Sequence, residues 1–133
     1  MKVVFDANVL VSALTLPGGS GARAVERIIS SEDVLALSRP IIEELIGVLA
    51  RKFGRDREQL ARTAVFLASL AEIVEPDVEL AVLSDAPDNR VLECALMASA
   101  GVIVTGDRGM LALGSYENVR IVTLRRYLQS GGA

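Results

Sequence analysis

The segment Val102-Ile103-Val104-Thr105-Gly106-Asp107 is an apolar run that ends in polar residues and an acid. A second run of the same kind, Lys2-Val3-Val4-Phe5-Asp6, opens the chain. Short runs rich in β-branched residues are typical of buried strands in a parallel sheet. The carboxyl ends of such strands lie at one edge of the sheet, and ligands bind there. We therefore expect Asp6 and Asp107 to converge at that edge.

Strand-like and helix-like segments alternate along the rest of the chain. Strands are predicted at about 2–5, 34–37, 73–74, 102–105 and 119–122, and helices at about 8–14, 22–30, from 40 onwards, 56–71, 88–100, 108–112 and around 127–128. We interpret the glycine-rich stretch at 16–21 as a loop with a mobile tip, because it lacks the Gly-Lys-Ser/Thr ending of a phosphate-binding loop. The alternation favours a doubly wound α/β sheet with right-handed crossovers, built as one domain over 1–130 with a frayed tail at 131–133.

The composition narrows the class of protein. The chain has 133 residues, of which 51% are apolar and 4% aromatic, with a formal net charge of −3 and no histidine. An apolar fraction of this size excludes a disordered chain, and no apolar run is long enough to span a bilayer, so we expect a cytoplasmic protein. Cys94, the single cysteine, is predicted to be a buried, inert thiol, since no histidine is present to activate it.

Two further acids accompany Asp6 and Asp107. Glu44 lies at the margin of the apolar stripe of its predicted helix, and Asp88 lies in the first turn of another. Carboxylates gathered without a neighbouring cation repel one another unless a metal neutralises them, and oxygen ligands favour Mg²⁺ or Mn²⁺. Such a site is suited to phosphodiester hydrolysis. The alternative is that each aspartate caps a helix and that Glu44 pairs with an arginine.

Neutral and basic residues extend the candidate site. Asn8, Asn89 and Thr105 are expected to orient ligands, although each is also explained as a cap or turn residue. Four cations crowd around Phe53-Gly54 and would suit phosphates, or simply the carboxyl end of a helix: Arg51, Lys52, Arg55 and Arg57.

Four segments together resemble the PIN-domain ribonucleases. They are Asp6-Ala7-Asn8-Val9-Leu10, Glu43-Glu44-Leu45, Asp85-Ala86-Pro87-Asp88-Asn89 and Val104-Thr105-Gly106-Asp107. The resemblance implies a three-layer α/β/α sandwich with a central, mostly parallel sheet. It also implies RNA cleavage with one or two Mg²⁺ or Mn²⁺ ions, held by Asp6, Glu44, Asp88 and Asp107.

The same resemblance implies biological partners. Relatives are commonly the toxin of a prokaryotic toxin-antitoxin pair of the VapBC kind, so a small antitoxin protein and a homodimer are expected. Arg90 and Arg108 join the four cations around Phe53-Gly54 as candidate RNA contacts. One departure is Pro87, which stands where relatives often carry an extra acid, with Asp85 as the nearby substitute.

Two other functions compete with the nuclease hypothesis. An inactive PIN-like module would keep the fold and serve only to bind a partner. In a phospho-acceptor domain, Asp6 or Asp88 would accept a phosphoryl group on a similar sheet. However, the chain lacks the paired acids after the first strand and the late lysine that such domains use.

Overall fold

The computed structural model describes residues 1–130, so the tail predicted at 131–133 lies outside the described residues. Strands and helices alternate over this range. The strands are β1 (Lys2–Phe5), β2 (Val34–Ser38), β3 (Glu72–Val74), β4 (Val102–Val104), β5 (Ser115–Tyr116) and β6 (Val119–Val122). The helices are α1 (Ala7–Thr15), α2 (Ser20–Ser30), α3 (Arg39–Phe53), α4 (Arg57–Leu70), α5 (Ala86–Ala98), α6 (Arg108–Leu113) and α7 (Leu124–Ser130).

The strands form one sheet in the order β3-β2-β1-β4-β6-β5. All neighbouring pairs are parallel except β5 and β6, which are antiparallel. The chain crosses from β1 to β2 through α1 and α2, and crosses back from β3 to β4 through α5. Right-handed crossovers in opposite directions place their helices on opposite faces of a sheet. The predicted three-layer α/β/α sandwich with a mostly parallel sheet is thereby confirmed.

The central strands are buried, as expected for a sheet covered on both faces. Val3, Val4, Phe5, Ile103 and Val104 are fully buried. Helix α5 packs across β1 to β4, and α2 packs against both α1 and α7. The core is therefore made mainly of aliphatic side chains, with Phe5 and Tyr127 among them, and it fixes the two strand ends that carry Asp6 and Asp107.

The region around 16–21 differs from its prediction. Helix α2 begins at Ser20, two residues earlier than predicted, and Gly21 is buried within it. A Cβ on Gly21 would lie 2.7 Å from the backbone nitrogen of Ala13, so the glycine allows α1 and α2 to pack closely. The interpretation of this glycine as part of a mobile loop tip was wrong, because helix packing rather than turn formation requires it.

Ser38 and Cys94 meet inside the core. Ser38 directly precedes α3, but its hydroxyl makes no capping bond, and its Oγ has no hydrogen bond of ordinary geometry. It lies beside the Cys94 thiol, whose pKa is raised by burial to about 12 despite the opposing effect of the hydroxyl. A thiol with this pKa stays protonated, in agreement with an inert cysteine.

An aspartate, Asp33, lies at the amino-terminal edge of the sheet, directly before β2. The Asp33 carboxylate accepts a hydrogen bond from the Tyr127 hydroxyl at 2.7 Å and lies 3.2 Å from Nε of Arg27. The amino terminus of Met1 is 3.5 Å away. We call Asp33, Arg27, Tyr127 and Met1 the Asp33 cluster. It ties α2 and α7 to the start of the chain.

None of the helices within residues 1–130 combines the length and the apolar character needed to cross a membrane.

Candidate active site

Asp6 and Asp107 follow neighbouring strands at the centre of the sheet. β1 and β4 pair in parallel, with Phe5 opposite Val104, and the Asp6 amide continues the ladder by donating to the Val104 carbonyl at 3.2 Å. The chain connects β1 to β2 on one side and β4 to β6 on the other. Connections that diverge in this way open a crevice at the carboxyl ends of the strands, which is where α/β proteins bind ligands.

Thr105 joins the two acids. Its side chain is buried, and its hydroxyl donates a short hydrogen bond to Oδ2 of Asp6 while accepting one from the Asp107 amide at 3.0 Å. A hydroxyl has one proton to donate and two lone pairs to accept with, so one threonine can serve both neighbours. The three residues therefore form a connected unit at the β1–β4 edge.

Both aspartates also cap helices, as the alternative explanation expects. Oδ1 of Asp6 accepts from the Val9 amide at 2.9 Å, and Oδ2 of Asp107 accepts from the Met110 amide at 2.9 Å. These bonds hold each side chain in one orientation. Capping thus positions the two carboxylates at the edge of the sheet and does not compete with a role there.

Burial and mutual repulsion raise the pKa of three of the four acids, among them Asp6 and Glu44. The pKa of Asp6 is raised mainly by burial and further by the charge of Asp107, against the hydrogen bonds from Thr105 and the Val9 and Asn8 amides. The pKa of Glu44 is raised by burial and then by the charges of Asp6 and Asp85, while Arg51 has a smaller opposing effect. Glu44, on α3, therefore lies close enough to Asp6 and Asp85 for their charges to raise its pKa.

Asp88 is the most perturbed of the group. Its pKa is raised to about 7, first by burial, then by hydrogen bonding with the Asp107 carboxyl, and then by the charges of Asp107, Asp85 and Asp6. Neighbouring carboxyls resist being ionised together, because their like charges repel each other. We call Asp6, Glu44, Asp88 and Asp107 the carboxyl-edge acids.

Cations are scarce around this group. Within residues 1–130, no lysine or arginine forms a salt bridge with any of the carboxyl-edge acids, and the alternative of a Glu44–arginine pair is not observed. In contrast, the adjacent Glu43 is well exposed and lies 3.2 Å from Nε of Arg39. The excess negative charge at the edge is the condition that a divalent cation relieves.

Carboxylate oxygens are suitable ligands for a divalent ion, but these side chains are not arranged as a complete coordination shell. Among the described residues, no three acidic or other metal-binding side chains lie close enough together to hold a metal ion as they stand. Charges influence one another over a screening length of about 8 Å, whereas Mg²⁺ needs oxygens at about 2.0–2.1 Å. The acids are thus near enough to repel one another but more widely spaced than ligands. Glu44 and Asp88 are partly exposed, so their side chains have room to change rotamer.

The side chains of the three predicted supporting residues differ in what they contact. Asn8 is exposed, and only its backbone amide acts on Asp6. The Asn89 side chain is buried and exchanges two hydrogen bonds of 2.8 Å with the backbone of Leu83. Both polar atoms of Asn89 hold the loop before α5, and its supporting role at the site stays a prediction. Thr105 alone of the three contacts the carboxyl-edge acids through its side chain.

Of the basic residues predicted to contact RNA, some are bound to other groups of the protein and others are exposed. Arg90 is bound to Oε2 of the buried Glu93 at 2.6 Å and to the Leu80 carbonyl at 3.0 Å. Arg55 donates to the Leu14 carbonyl at 3.3 Å. An RNA contact at Arg90 stays a prediction, and in the free protein its guanidinium group pairs with Glu93. Arg51 folds back over Gly47, and the remaining candidates are exposed: Lys52, Arg57 and Arg108.

Asp85 is the acid that sequence reasoning undervalued. It stands at the start of α5, and its charge raises the pKa of both Glu44 and Asp88. Its position in the sequence could have indicated this, because Asp85 is three residues before Asp88 and residues three apart share a helix face. Asp85 thus supplies a further negative charge on the side of the crevice where Pro87 interrupts the expected acidic pair.

Comparisons with known proteins agree with this geometry. The family model for the PIN domain matches residues 2–109. The chain is 27% identical over 117 residues to the uncharacterized protein MJ1680 of Methanocaldococcus jannaschii, covering 85% of this chain and 75% of that one.

Solved structures share the fold at low identity. The structure of VapBC-1 from nontypeable Haemophilus influenzae has a TM-score of 0.67 and 17% identity, covering 94% of this chain and 99% of that one. VapC20 from Mycobacterium tuberculosis, described as a toxin that cleaves the sarcin-ricin loop, has a TM-score of 0.62 and 15% identity, with 89% and 98% coverage. Because the family model spans most of the chain, the protein belongs to the PIN-domain family.

Proposed function

We propose that this protein is a metal-dependent endoribonuclease, and that it acts as the toxin of a prokaryotic type II toxin-antitoxin pair. The observation that carries the proposal is the set of four carboxyl-edge acids. They lie close enough at the diverging strand ends for their charges to interact, and they form no salt bridge within the described residues. Membership of the PIN-domain family and the likeness to a toxin that cleaves RNA support it.

The chain's own residues would divide the work of the site. Asp6 and Asp107 are held by Thr105 and by their capping bonds, so they would provide fixed oxygens. Glu44 and Asp88 come from α3 and α5 and would close on the same ion. A bound Mg²⁺ or Mn²⁺ supplies Lewis acidity to the phosphoryl oxygens and lowers the pKa of a bound water. The Asp88 carboxyl, whose pKa is raised to about 7, would be able to hold or release a proton in the site near neutral pH.

The partners follow from the same proposal. An antitoxin protein is supported by the structural likeness to VapBC-1. A homodimer is supported by α4, where Val65 is 69% and Phe66 40% exposed, and by α5, where Met97 is 44% exposed. Apolar side chains in such positions are typical of interaction surfaces. Action on cellular RNA would place the protein in the cytoplasm.

A direct test compares adjacent glutamates on α3. Purified protein is expected to cleave RNA with Mg²⁺ or Mn²⁺ and to stop on addition of a chelator. Glu44→Gln should abolish cleavage and weaken Mn²⁺ binding measured by calorimetry, whereas Glu43→Gln, which changes the neighbouring exposed residue, should alter neither. Equal activity of the two variants would refute the proposed site.

The inactive-module alternative makes a different prediction in cells. If the protein only binds a partner, Asp107→Asn should leave every cellular effect of its expression unchanged. If it is a toxin, wild-type expression should arrest growth, Asp107→Asn should not, and a co-expressed antitoxin should relieve the arrest. The phospho-acceptor alternative is disfavoured at Asp6, because the side chain is only 5% exposed and both its oxygens already accept hydrogen bonds.

A further inference from the structure

A pair of adjoining cavities lies beside the carboxyl-edge acids, between α6, β6, α7 and the start of α2. The larger has a volume of about 680 Å³, and its walls include Arg120, Arg125 and Arg126. The smaller, of about 350 Å³, is lined by Arg23 and shares Arg125 with the larger. Gln129 also lines both, so the two cavities adjoin on the same face of α7. We call this pair the arginine groove.

The arginine groove has one sign of charge. Four arginines line it, and no aspartate or glutamate does. None of the four takes part in a salt bridge within residues 1–130, whereas Arg27, Arg39, Arg62 and Arg90 all do. In a chain with a net charge of −3, this is a concentration of unneutralised positive charge on a concave surface. Such clefts focus the field and attract anions.

The groove is one strand away from the acids. Val122 lines the larger cavity and pairs with Val104 in the sheet, and the Thr105 amide donates to the Val122 carbonyl at 3.0 Å. Leu111, on the helix that Asp107 caps, lines the other wall. Neighbouring strands are about 4.8 Å apart. A phosphate chain that reaches Asp107 therefore passes the mouth of the groove within the next nucleotides.

We propose that the arginine groove binds the phosphates of single-stranded RNA that flank the cleaved bond. The proposal rests on the proposed nuclease function and names the surface that grips its substrate. Guanidinium groups match phosphate oxygens in pairs, which lysines do not. The lining includes no aromatic side chain on which a base could stack. Binding here therefore reads the backbone rather than the base sequence, and it depends steeply on salt.

The test measures RNA binding in the absence of cleavage. Wild type, Arg125→Gln/Arg126→Gln and a control, Lys2→Gln/Arg62→Gln, are titrated with a fluorescein-labelled single-stranded RNA of mixed sequence in EDTA, over a series of salt concentrations. The control removes the same charge from two exposed cations that pair with Glu72 and Glu58. All four changed arginines and lysines are on the surface, so unchanged melting temperatures verify folding.

The groove variant should bind several-fold more weakly at low salt, and the slope of log K against log salt should be shallower by roughly 1.4, about 0.7 for each lost phosphate contact. The control should match wild type in both respects. Equal affinity and slope in the groove variant and wild type would overturn the proposal. So would unchanged RNA binding combined with lost binding of polyglutamate, which would make the groove a protein-docking surface.

The outcome is separable from the nuclease hypothesis. If wild type binds RNA through the groove but never cleaves it with Mg²⁺ or Mn²⁺, the groove proposal stands and the nuclease proposal fails. If wild type cleaves and the groove variant cleaves with the same KM, the groove proposal fails and the nuclease proposal stands.

Discussion

The two edges of the sheet hold acidic side chains in opposite ways. At the amino-terminal edge, Asp33 has two cations within 3.5 Å and a hydroxyl donor at 2.7 Å. At the carboxyl edge, four acids have backbone amides, one threonine and one another, but no salt bridge within the described residues. The first arrangement lowers the energy of the isolated chain, whereas the second raises it.

This difference separates a structural acid from a functional one. A carboxylate whose partners are supplied by the protein holds elements together, as Asp33 joins α2 and α7 to Met1. A group of carboxylates without partners is a cost that a chain keeps only where a ligand removes it. The same residue type therefore has a different meaning at each edge, and the predictions below test that assignment.

The largest difference is expected in catalysis. Asp107→Asn should keep the cap on α6, because an asparagine oxygen can still accept from the Met110 amide, but it removes the charge that would hold a divalent ion. We expect RNA cleavage to fall by more than about a hundredfold, beyond the range found for residues that only support metal ligands. Asp33→Asn should cleave at the wild-type rate in the same assay, at a temperature where it is folded. Comparable losses in both variants would erase the distinction between the edges.

Stability should respond in the reverse order. Asp33→Asn leaves Arg27 and the amino terminus without their carboxylate, which we expect to cost roughly 3 kcal/mol, as for breaking a largely buried ion pair. Asp88→Asn removes a repulsive charge and should leave the metal-free stability equal or higher. Urea denaturation in EDTA measures both. A loss of stability in Asp88→Asn as large as that in Asp33→Asn would show that Asp88 is a structural acid.

Much of the carboxyl edge could be predicted because its information is local. Asp6 and Asp107 follow apolar runs directly, and the rule that strand ends converge brings them together without knowledge of side-chain contacts. Glu44 was selected because a charge at the margin of an apolar helix face needs a partner. The order of strands and helices follows from the same local patterns. The two-residue strand β5 was missed, and the starts of α2, α5 and α7 lie earlier than predicted.

The Asp33 cluster and the arginine groove could not be predicted in this way. Asp33, Arg27, Tyr127 and Met1 come from four separate segments, and no spacing or period connects them. Arg90 is a further example. The sequence shows Glu93 three residues away as a possible partner, but it gives no sign that Arg90 also donates to the Leu80 carbonyl. Sequence patterns locate the ends of strands and helices. The partners of long side chains depend on which segments the fold brings together.

Thr105 provides a smaller test within the carboxyl edge. Thr105→Val keeps the shape of the side chain but removes the hydroxyl that joins Asp6 to the Asp107 amide. We expect Mn²⁺ affinity and cleavage to fall by about 10–100-fold, as for other residues that hold metal ligands in place. Thr105→Ser restores the hydroxyl and should recover most of both. If Mn²⁺ affinity is unchanged in the valine variant while only the melting temperature falls, the threonine serves the fold alone.

The smallest effect is the pH dependence of the metal-free protein. Asp88 has a pKa of about 7 in the folded chain against an ordinary value of 3.8, so between these values the folded state binds more protons than the unfolded state. Stability contributed by the proton on Asp88 is therefore present at low pH and is lost as the pH rises towards 7, without further change above it. In EDTA, the melting temperature of wild type should fall over this range relative to Asp88→Asn. Saturating Mg²⁺ should reduce the difference, because an ion that binds the ionised acids favours the deprotonated folded state. Parallel curves for the two proteins in EDTA would mean that Asp88 titrates as an ordinary surface acid, and that the repulsion distinguishing the carboxyl edge from Asp33 is absent there.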